Sequence, residues 1–259
     1  MDPISAFRND VQRNIDDLGK DQDLQGLSRI WVREVSRHKW AYNFTWLGVP
    51  AIQFPNDAWA VQELIWHVKP DLIIETGIAH GGSLMFSASM LALLDYSEAV
   101  AAGKMLDPVK PKRKVIGIDI DIRPHNRAAI DAHAMRSRIE LVEGSSTAPD
   151  IIAKIGKMAS DFSRIMVLLD SNHTHDHVVA ELQAYAPMVS AGSYCIVFDT
   201  LVEDMPDDLS SGRPWAKGNN PKTAVWHYLK SHPEFEIDKS IPHKLLITVA
   251  PDGYLKRLR

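Results

Sequence analysis

The sequence predicts an α/β protein with a doubly wound, mostly parallel sheet of seven strands, preceded by a helical cap. Five short apolar segments alternate with stretches long enough to form helices, and this alternation is typical of parallel strands joined by right-handed crossovers. Near the end of the chain, two strand-like runs follow each other so closely that an antiparallel connection is favoured. Together these patterns indicate a Rossmann-like sheet with an antiparallel edge strand.

The individual elements follow from the same patterns. The parallel strands are predicted at 71–76, 114–119, 138–143, 164–170 and 194–199, and the helices between them at 83–95, 124–135, 147–159 and 174–188. Segment 96–113 is predicted to be an inserted loop. The antiparallel pair is predicted at 235–241 and 244–250, joined around Pro242.

Two domains are expected, a helical and aromatic cap over residues 1–60 and a Rossmann-like domain over residues 61–259. Asp57 is predicted to cap a helix whose apolar positions extend to Val68. Residues 200–222 are rich in Asp, Pro and Gly, and they follow the carboxyl end of a strand. Since long irregular loops in compact domains are usually functional, we expect a lid over the substrate here.

The composition excludes several classes of function. A net charge of −4 gives no electrostatic case for nucleic-acid binding. The chain starts without an apolar signal core and has no run of the ~18 apolar residues typical of a membrane span, so none is expected. The single cysteine, Cys195, fits a reducing compartment and a cytoplasmic protein. The aromatic-rich segment 40–66 is a candidate interface for a homo-oligomer.

The most informative segment joins the first predicted strand to its helix. It contains Glu75, Gly77, Gly81 and Ser83 in the pattern E-x-G-x-x-x-G-x-S. Glycines bring bare backbone close to a ligand, and α/β proteins bind nucleotide-like cofactors at such turns. The spacing differs from the dinucleotide fingerprint G-x-G-x-x-G. A plain strand-to-helix corner would contain similar glycines, so this segment alone leaves both interpretations open.

Acidic side chains end the predicted strands, namely Glu75, Asp119, Glu143, Asp170 and Asp199. Because the carboxyl ends of parallel strands meet at one edge of a sheet, these carboxylates should converge on one ligand crevice. Asp119 ends the second strand, where a carboxylate typically accepts hydrogen bonds from ribose hydroxyls. Asp170 and Asp199 end adjacent strands and suit Mg²⁺ or another hard divalent cation.

Histidines follow the fourth strand. His173 is close enough to Asp170 to reach a hydroxyl held at that metal, and histidine is a natural general base. His175 and His177 are expected on a helix surface. The segment 173–177 also approaches the H-x-H-x-D-H zinc motif of metallo-β-lactamase-fold hydrolases, but it is one residue short, which would displace the later ligands. A nicotinamide-dependent dehydrogenase is a further alternative that would need a tighter glycine motif.

Four segments give the chain a specific resemblance to a known family: PDLIIETGIAHGGS, VIGIDIDIRPHN, LLDSNHTHDHVVAEL and PWAKGNNPKTAV. They resemble class I S-adenosylmethionine-dependent methyltransferases, above all the cephalosporin hydroxylase family, which includes rhamnosyl O-methyltransferases. The resemblance extends from about Tyr42 to the carboxyl terminus. It implies O-methylation of a sugar or a small natural product, with S-adenosylmethionine and Mg²⁺ or another divalent cation as cofactors. A non-catalytic S-adenosylmethionine-binding protein is the alternative, which would not need Asp170, His173 and Asp199 together.

A more distant resemblance to catechol O-methyltransferase, which has the same E-x-G-x-x-x-G-x-S loop, implies roles for single residues. Asp119 would hold the ribose of the cofactor and Ser146 would flank its adenine. His173 would replace the catalytic lysine of the catechol enzyme as the base. The residues implied around the methionine part are Glu75, Gly77, Gly81 and Ser83, and the implied metal ligands are Asp170, Asp199 and Thr200.

Overall fold

The structure is a computed structural model that describes residues 2–259. The chain begins with two helices, α1 (Pro3–Lys20) and α2 (Gln22–Ser36). The carboxylates of Asp2 and Asp21 accept hydrogen bonds from backbone N–H groups in the first turns of these helices and cap them. A 3₁₀ turn at Trp40–Asn43 and a hairpin of β1 (Phe44–Trp46) and β2 (Val49–Ala51) complete the cap.

A seven-stranded sheet follows, with the order β5-β4-β3-β6-β7-β9-β8. Its strands are β3 (Leu72–Thr76), β4 (Lys114–Asp119), β5 (Ile139–Glu143), β6 (Ile165–Leu169), β7 (Tyr194–Val197), β8 (Phe235–Ile237) and β9 (Tyr254–Arg257). β3 to β7 are parallel, and β9 is antiparallel to both of its neighbours. The predicted fold class and the five predicted parallel strands are therefore confirmed.

Helices cover both faces of the sheet. One face packs against α3 (Pro55–Val68), α4 (Gly82–Ala102), α5 (Pro124–Asp131) and α9 (Ser240–Leu245), and the other against α6 (Pro149–Ala159), α7 (His175–Tyr185) and α8 (Pro221–Leu229). Within β3, Ile73 belongs to the first core while Leu72 and Ile74 belong to the second. This alternation explains why the strand reads as a continuous apolar run.

The carboxyl-terminal region differs from the prediction. Residues 244–250 do not form a strand, because α9 includes Leu245 and the next residue, Leu246, has a positive φ of 58°. The last strand is β9, which lies between β7 and β8. The reversed strand is therefore the neighbour of the edge strand and does not form the edge itself.

Asp57 does not cap a helix. It lies in the first turn of α3, fully buried, and its carboxylate faces the segment before β9. It accepts hydrogen bonds from the Thr248 hydroxyl, from the Val249 backbone N–H (2.9 Å) and from the Tyr254 hydroxyl (2.7 Å). Burial raises the pKa of Asp57 to about 6. The Val249 backbone N–H is therefore bonded to a side chain and is not available for a hydrogen bond to a neighbouring strand.

Helix α4 is longer than predicted. It continues through Ala102, so the predicted inserted loop 96–113 is irregular only from Gly103 onwards. By length and composition alone, this helix could cross a membrane. Its apolar character has a different origin in the structure, because Leu84, Leu91 and Leu94 are buried in the core beside the sheet.

Residues 200–222 are largely irregular and contain two 3₁₀ turns, Thr200–Asp204 and Asp207–Ser210. At its far end, Asn220 caps α8 by accepting hydrogen bonds from two backbone N–H groups. The same side chain donates to Glu203 and to the carbonyl of Ala216 (3.0 Å). The two ends of the segment are therefore tied to each other.

Candidate active site

A cavity of about 510 Å³ opens at the carboxyl edge of the sheet. This is the edge at which open α/β sheets bind their ligands. The structure brings six of the predicted residues to its wall: Gly77, Ser83, Asp119, Asp170, His173 and Asp199. Glu75 lies directly behind this wall, bonded to Ser83.

The turn between β3 and α4 depends on its glycines. Gly77 and Gly81 both have positive φ values, 80° and 93°. A side chain on Gly77 would overlap the backbone of Asp170 at the end of the neighbouring strand β6. Glycine at this position therefore allows the turn after β3 to lie against the end of β6.

Glu75 is 2% exposed and accepts a hydrogen bond from the Ser83 hydroxyl through Oε1. Its other oxygen, Oε2, is buried and has no hydrogen-bond partner within residues 2–259. Burial raises the pKa of this carboxyl to about 7. A buried acceptor without a partner is costly, and such an atom beside a cavity is where a ligand donor is expected.

Asp119 ends β4 and faces the same cavity. Its Oδ2 accepts the backbone N–H of Ile78 (2.9 Å) and its Oδ1 accepts that of Asp121 (3.1 Å). These bonds fix the carboxylate, and each oxygen keeps a further lone pair for a ligand hydroxyl.

Asp170, His173 and Asp199 form one cluster. One ligand atom from each of them lies within 4.8 Å of the other two, and His173 Nε2 is 3.1 Å from Asp199 Oδ2. Burial, followed by the negative charges of Asp199 and Glu75, raises the pKa of Asp170 well above its ordinary value. Asp199 also has a positive φ of 54°, a conformation that costs free energy for residues other than glycine. Crowded carboxylates of this kind are relieved by a divalent cation, and the donor atoms suit one.

Thr200 does not join this cluster. Its side chain is fully buried, and its hydroxyl donates a hydrogen bond to the carbonyl of Pro251. It is not part of the cavity wall. We therefore leave Thr200 out of the proposed set of metal ligands.

Ser146 is also buried and lies outside the cavity wall. Its hydroxyl lies 3.2 Å from His177 Nε2, and its carbonyl accepts the Tyr185 hydroxyl (2.6 Å). The same nitrogen of His177 lies 3.1 Å from the hydroxyl of Ser171, which does line the cavity. His177 is thus a partly buried link between two strand-end loops, and the prediction of a simple helix-surface residue was wrong.

The same correction applies to His175. Its backbone N–H donates to Asn219 (2.9 Å) and its Nδ1 is 2.8 Å from the Thr223 hydroxyl. These contacts join the start of α7 to the end of segment 200–222. His175 is partly buried because it anchors this segment.

Several cavity residues have no motif that would have revealed them. The cap contributes Lys39, Trp40, Tyr42 and Phe54, and segment 200–222 contributes Leu201, Leu209 and Arg213. The ring of Trp215, also from this segment, contacts the ring of His173 edge to face, with centroids 4.7 Å apart. The aromatic composition of residues 40–54 was the available signal, but it did not indicate which surface these residues would cover.

The sheet order, the glycine turn and the carboxylate cluster define the class of Rossmann-like methyltransferase folds. A model of the rhamnosyl O-methyltransferase/CmcI family matches residues 38–258. The chain belongs to this family.

Curated relatives agree with this assignment. The chain is 29% identical over 230 residues to the rhamnosyl O-methyltransferase of Mycobacterium leprae (strain TN), which covers 85% of this chain and 88% of the relative. It is 29% identical over 229 residues to the rhamnosyl O-methyltransferase of Mycobacterium tuberculosis (strain ATCC 25618 / H37Rv), covering 85% and 83%.

Solved structures share the fold at low sequence identity. The apo structure of CmcI matches with a TM-score of 0.55 and 19% identity, over 84% of this chain and 77% of that one. A CmcI structure with Mg and SAM matches with a TM-score of 0.53 and 16% sequence identity, over 84% of this chain and 78% of that one. CalS11, a TDP-rhamnose 3′-O-methyltransferase, matches with a TM-score of 0.50 and 17% sequence identity, over 78% of both chains.

Proposed function

We propose that this protein transfers the methyl group of S-adenosylmethionine to a hydroxyl of a sugar or of a glycosylated small molecule, with a divalent cation, preferably Mg²⁺. The observation that carries the proposal is the cluster of Asp170, His173 and Asp199 on the wall of a cavity that also contains the glycine turn. The names of the relatives, rhamnosyl O-methyltransferases, support a sugar as the acceptor.

The cofactor loop fits S-adenosylmethionine. The unpartnered Oε2 of Glu75 is an acceptor for the ammonium group of the methionine part, and Asp119 offers its remaining lone pairs to ribose hydroxyls. When bound, S-adenosylmethionine supplies an activated methyl group on a sulfonium. The protein must therefore position and deprotonate the acceptor.

The metal site rests on Asp170 and Asp199, whose carboxylate oxygens are the hard donors that Mg²⁺ prefers. Held by these two carboxylates, a divalent cation would supply positive charge that lowers the pKa of an acceptor hydroxyl beside it. The cation would also offset the crowding of carboxylates that now raises the pKa of Asp170.

His173 is assigned as the general base. Its Nε2 lies 3.1 Å from Asp199 Oδ2, so the neutral ring carries its hydrogen on Nε2, beside that carboxylate. Nδ1 is then the atom that takes the proton of the acceptor hydroxyl. The carboxylate of Asp199 then stabilises the imidazolium that forms. Trp215 covers one edge of this ring and reduces its access to water.

The experiment is calorimetry with S-adenosylmethionine in the presence and absence of Mg²⁺, followed by methyl-transfer assays with deoxysugar-bearing acceptors. We expect cofactor binding in both conditions and transfer that stops when a chelator is added. A protein that binds the cofactor but methylates none of the acceptors would support the non-catalytic alternative. Absence of cofactor binding would overturn the proposal.

A further inference from the structure

Two cations on the wall of the cavity have no acidic partners. Lys39, from the cap, and Arg213, from segment 200–222, both line the cavity. Within residues 2–259, no carboxylate oxygen lies within 4.0 Å of either side-chain charge. Two other cations near this region are paired, Arg37 with Asp208 and Lys222 with Asp204 (2.6 Å).

Arg213 is held in place by an aromatic ring. Its guanidinium carbon lies 5.3 Å from the centroid of the Trp215 ring, a cation–π arrangement. This contact orients the guanidinium while leaving its N–H groups without protein acceptors. An arginine prepared in this way is suited to bidentate binding of a phosphate or a carboxylate.

The distance from the proposed base is informative. The ring centroids of His173 and Trp215 are 4.7 Å apart, and the Arg213 guanidinium carbon is 5.3 Å from the Trp215 centroid, so it lies at most 10.0 Å from the centre of the His173 ring. A sugar ring with a charged substituent can span a distance within this limit. A sugar whose hydroxyl is at His173 can therefore place a directly attached anion within reach of Arg213.

The electrostatic setting strengthens this argument. The other charged groups on the cavity wall include three carboxylates, Asp119, Asp170 and Asp199, and the whole chain has a net charge of −4. An anionic acceptor would be repelled from such a site unless cations received its charge. Lys39 follows α2 and Arg213 belongs to segment 200–222, so both cations come from elements other than the strands that end in Asp119, Asp170 and Asp199.

We propose that the acceptor is an anionic sugar, with a phosphate or carboxylate group one ring away from the methylated hydroxyl, and that Arg213, assisted by Lys39, recognises this group. The inference rests on the proposed function. The anion has two possible sources, the diphosphate of a nucleotide-activated sugar and the carboxylate of a sugar acid.

The test compares three acceptors in steady-state assays: a nucleoside diphosphate deoxysugar, a hexuronic acid and a neutral deoxysugar glycoside. For whichever anionic acceptor the enzyme methylates, we expect Arg213→Gln to raise KM by roughly 10-fold with little change in kcat. A change of about 10-fold in KM corresponds to the loss of one charge-assisted hydrogen bond at an exposed site. Arg213→Lys should restore part of the affinity, and Lys39→Gln should have a smaller effect. Lys217→Gln is the matched control, because this cation lies in the same segment but outside the cavity wall.

The neutral acceptor separates recognition from structural damage. Its kinetics should be unchanged in Arg213→Gln, whereas equal losses for neutral and anionic acceptors would show that Arg213 acts only through Trp215 and would overturn the inference. Calorimetry of thymidine diphosphate and of glucuronate, with S-adenosylhomocysteine present, gives an independent readout without turnover. Binding of either probe that weakens in Arg213→Gln supports the inference and identifies the source. Methyl transfer to neutral sugars alone would leave the proposed function intact and reject the inference, whereas failure of cofactor binding would reject the proposed function.

Discussion

His173 Nε2 lies 3.1 Å from Asp199 Oδ2, although the two residues follow different strands, β6 and β7. This contact joins the proposed base to one of the proposed metal ligands. Because β6 and β7 are parallel neighbours, their carboxyl ends meet at one edge and bring the two side chains together. In the proposed mechanism, the pair would couple removal of a proton to the position of a cation.

His173→Ala should reduce the rate of methyl transfer by at least ~10²-fold, since a positioned general base typically contributes this much. The affinity for S-adenosylmethionine should stay close to that of the wild type, because the proposed role of this ring is toward the acceptor hydroxyl and not toward the cofactor. Calorimetry and a methyl-transfer assay measure the two effects. His125→Ala, an exposed position outside the cavity wall, is the control. Loss of cofactor binding in His173→Ala would contradict the assignment.

Asp199→Asn should weaken the dependence of activity on Mg²⁺, because the cation loses a charged ligand. Thr200→Val should leave that dependence unchanged, because the Thr200 hydroxyl is buried and bonded to Pro251. Titration of activity with Mg²⁺, and of binding with Mn²⁺, compares these neighbouring positions. If Thr200→Val removed the metal dependence, Thr200 would have to be restored as a ligand.

Glu75→Gln should stabilise the protein without cofactor at pH above about 7 while weakening cofactor binding. The folded-state pKa of Glu75 is raised from 4.5 to about 7, so ionisation of this group costs stability as the pH rises between these values. Gln removes that cost, by about 3 kcal/mol at most, and still accepts the Ser83 hydroxyl. Its amide N–H₂ takes the place of the unpartnered Oε2, and the cost of about 1–3 kcal/mol for an unsatisfied buried donor makes the net gain smaller. The gain should disappear below about pH 4.5, where Glu75 is protonated in both folded and unfolded protein.

Chemical denaturation over this pH range measures the effect, and Glu236→Gln at an exposed strand position is the control. If the variant is no more stable at pH 8 than the wild type, burial of the ionised Glu75 carboxylate does not destabilise the folded protein. Unchanged cofactor affinity would show that its free oxygen does not face the ligand.

Gly77→Ala should abolish both stable folding of the cofactor loop and activity. The new methyl group would overlap the backbone of Asp170, and the residue would have to keep a φ of 80°. Gly26→Ala, in the open interior of α2, should instead raise stability by up to about 1 kcal/mol. Thermal unfolding of the two variants should therefore shift in opposite directions, and a normal melting temperature for Gly77→Ala would contradict the packing argument.

The sheet was predictable because its strands are buried on both faces and are separated by helices, so local pattern and tertiary environment agree. The same approach failed at residues 244–250, whose apolar run has the pattern of a strand. There a single buried carboxylate, Asp57, takes the Val249 backbone N–H and two hydroxyls. Nothing in the local sequence indicates that a residue in α3 will bond to a segment so distant along the chain.

In the candidate site too, some positions were predictable from the sequence and others were not. The positions of Gly77, Asp119, Asp170, His173 and Asp199 at the cavity follow from their places at strand ends, since parallel topology alone puts these ends together. Their sequence order could not show that Thr200 turns away toward Pro251, because that depends on how the loop before β9 packs.

The sequence by itself thus determined the sheet, the edge at which ligands bind and the residue types available for methyl transfer, because these depend on periodicity and on the order of elements. Only the tertiary structure decided which residues of the irregular segments join the strand ends at the cavity. Lys39 and Arg213 line the cavity and Trp215 packs against His173, and they come from two irregular segments that no local pattern positions. The proposed chemistry therefore rests on residues at strand ends, whereas the proposed recognition of the acceptor rests on loops whose positions the whole fold sets.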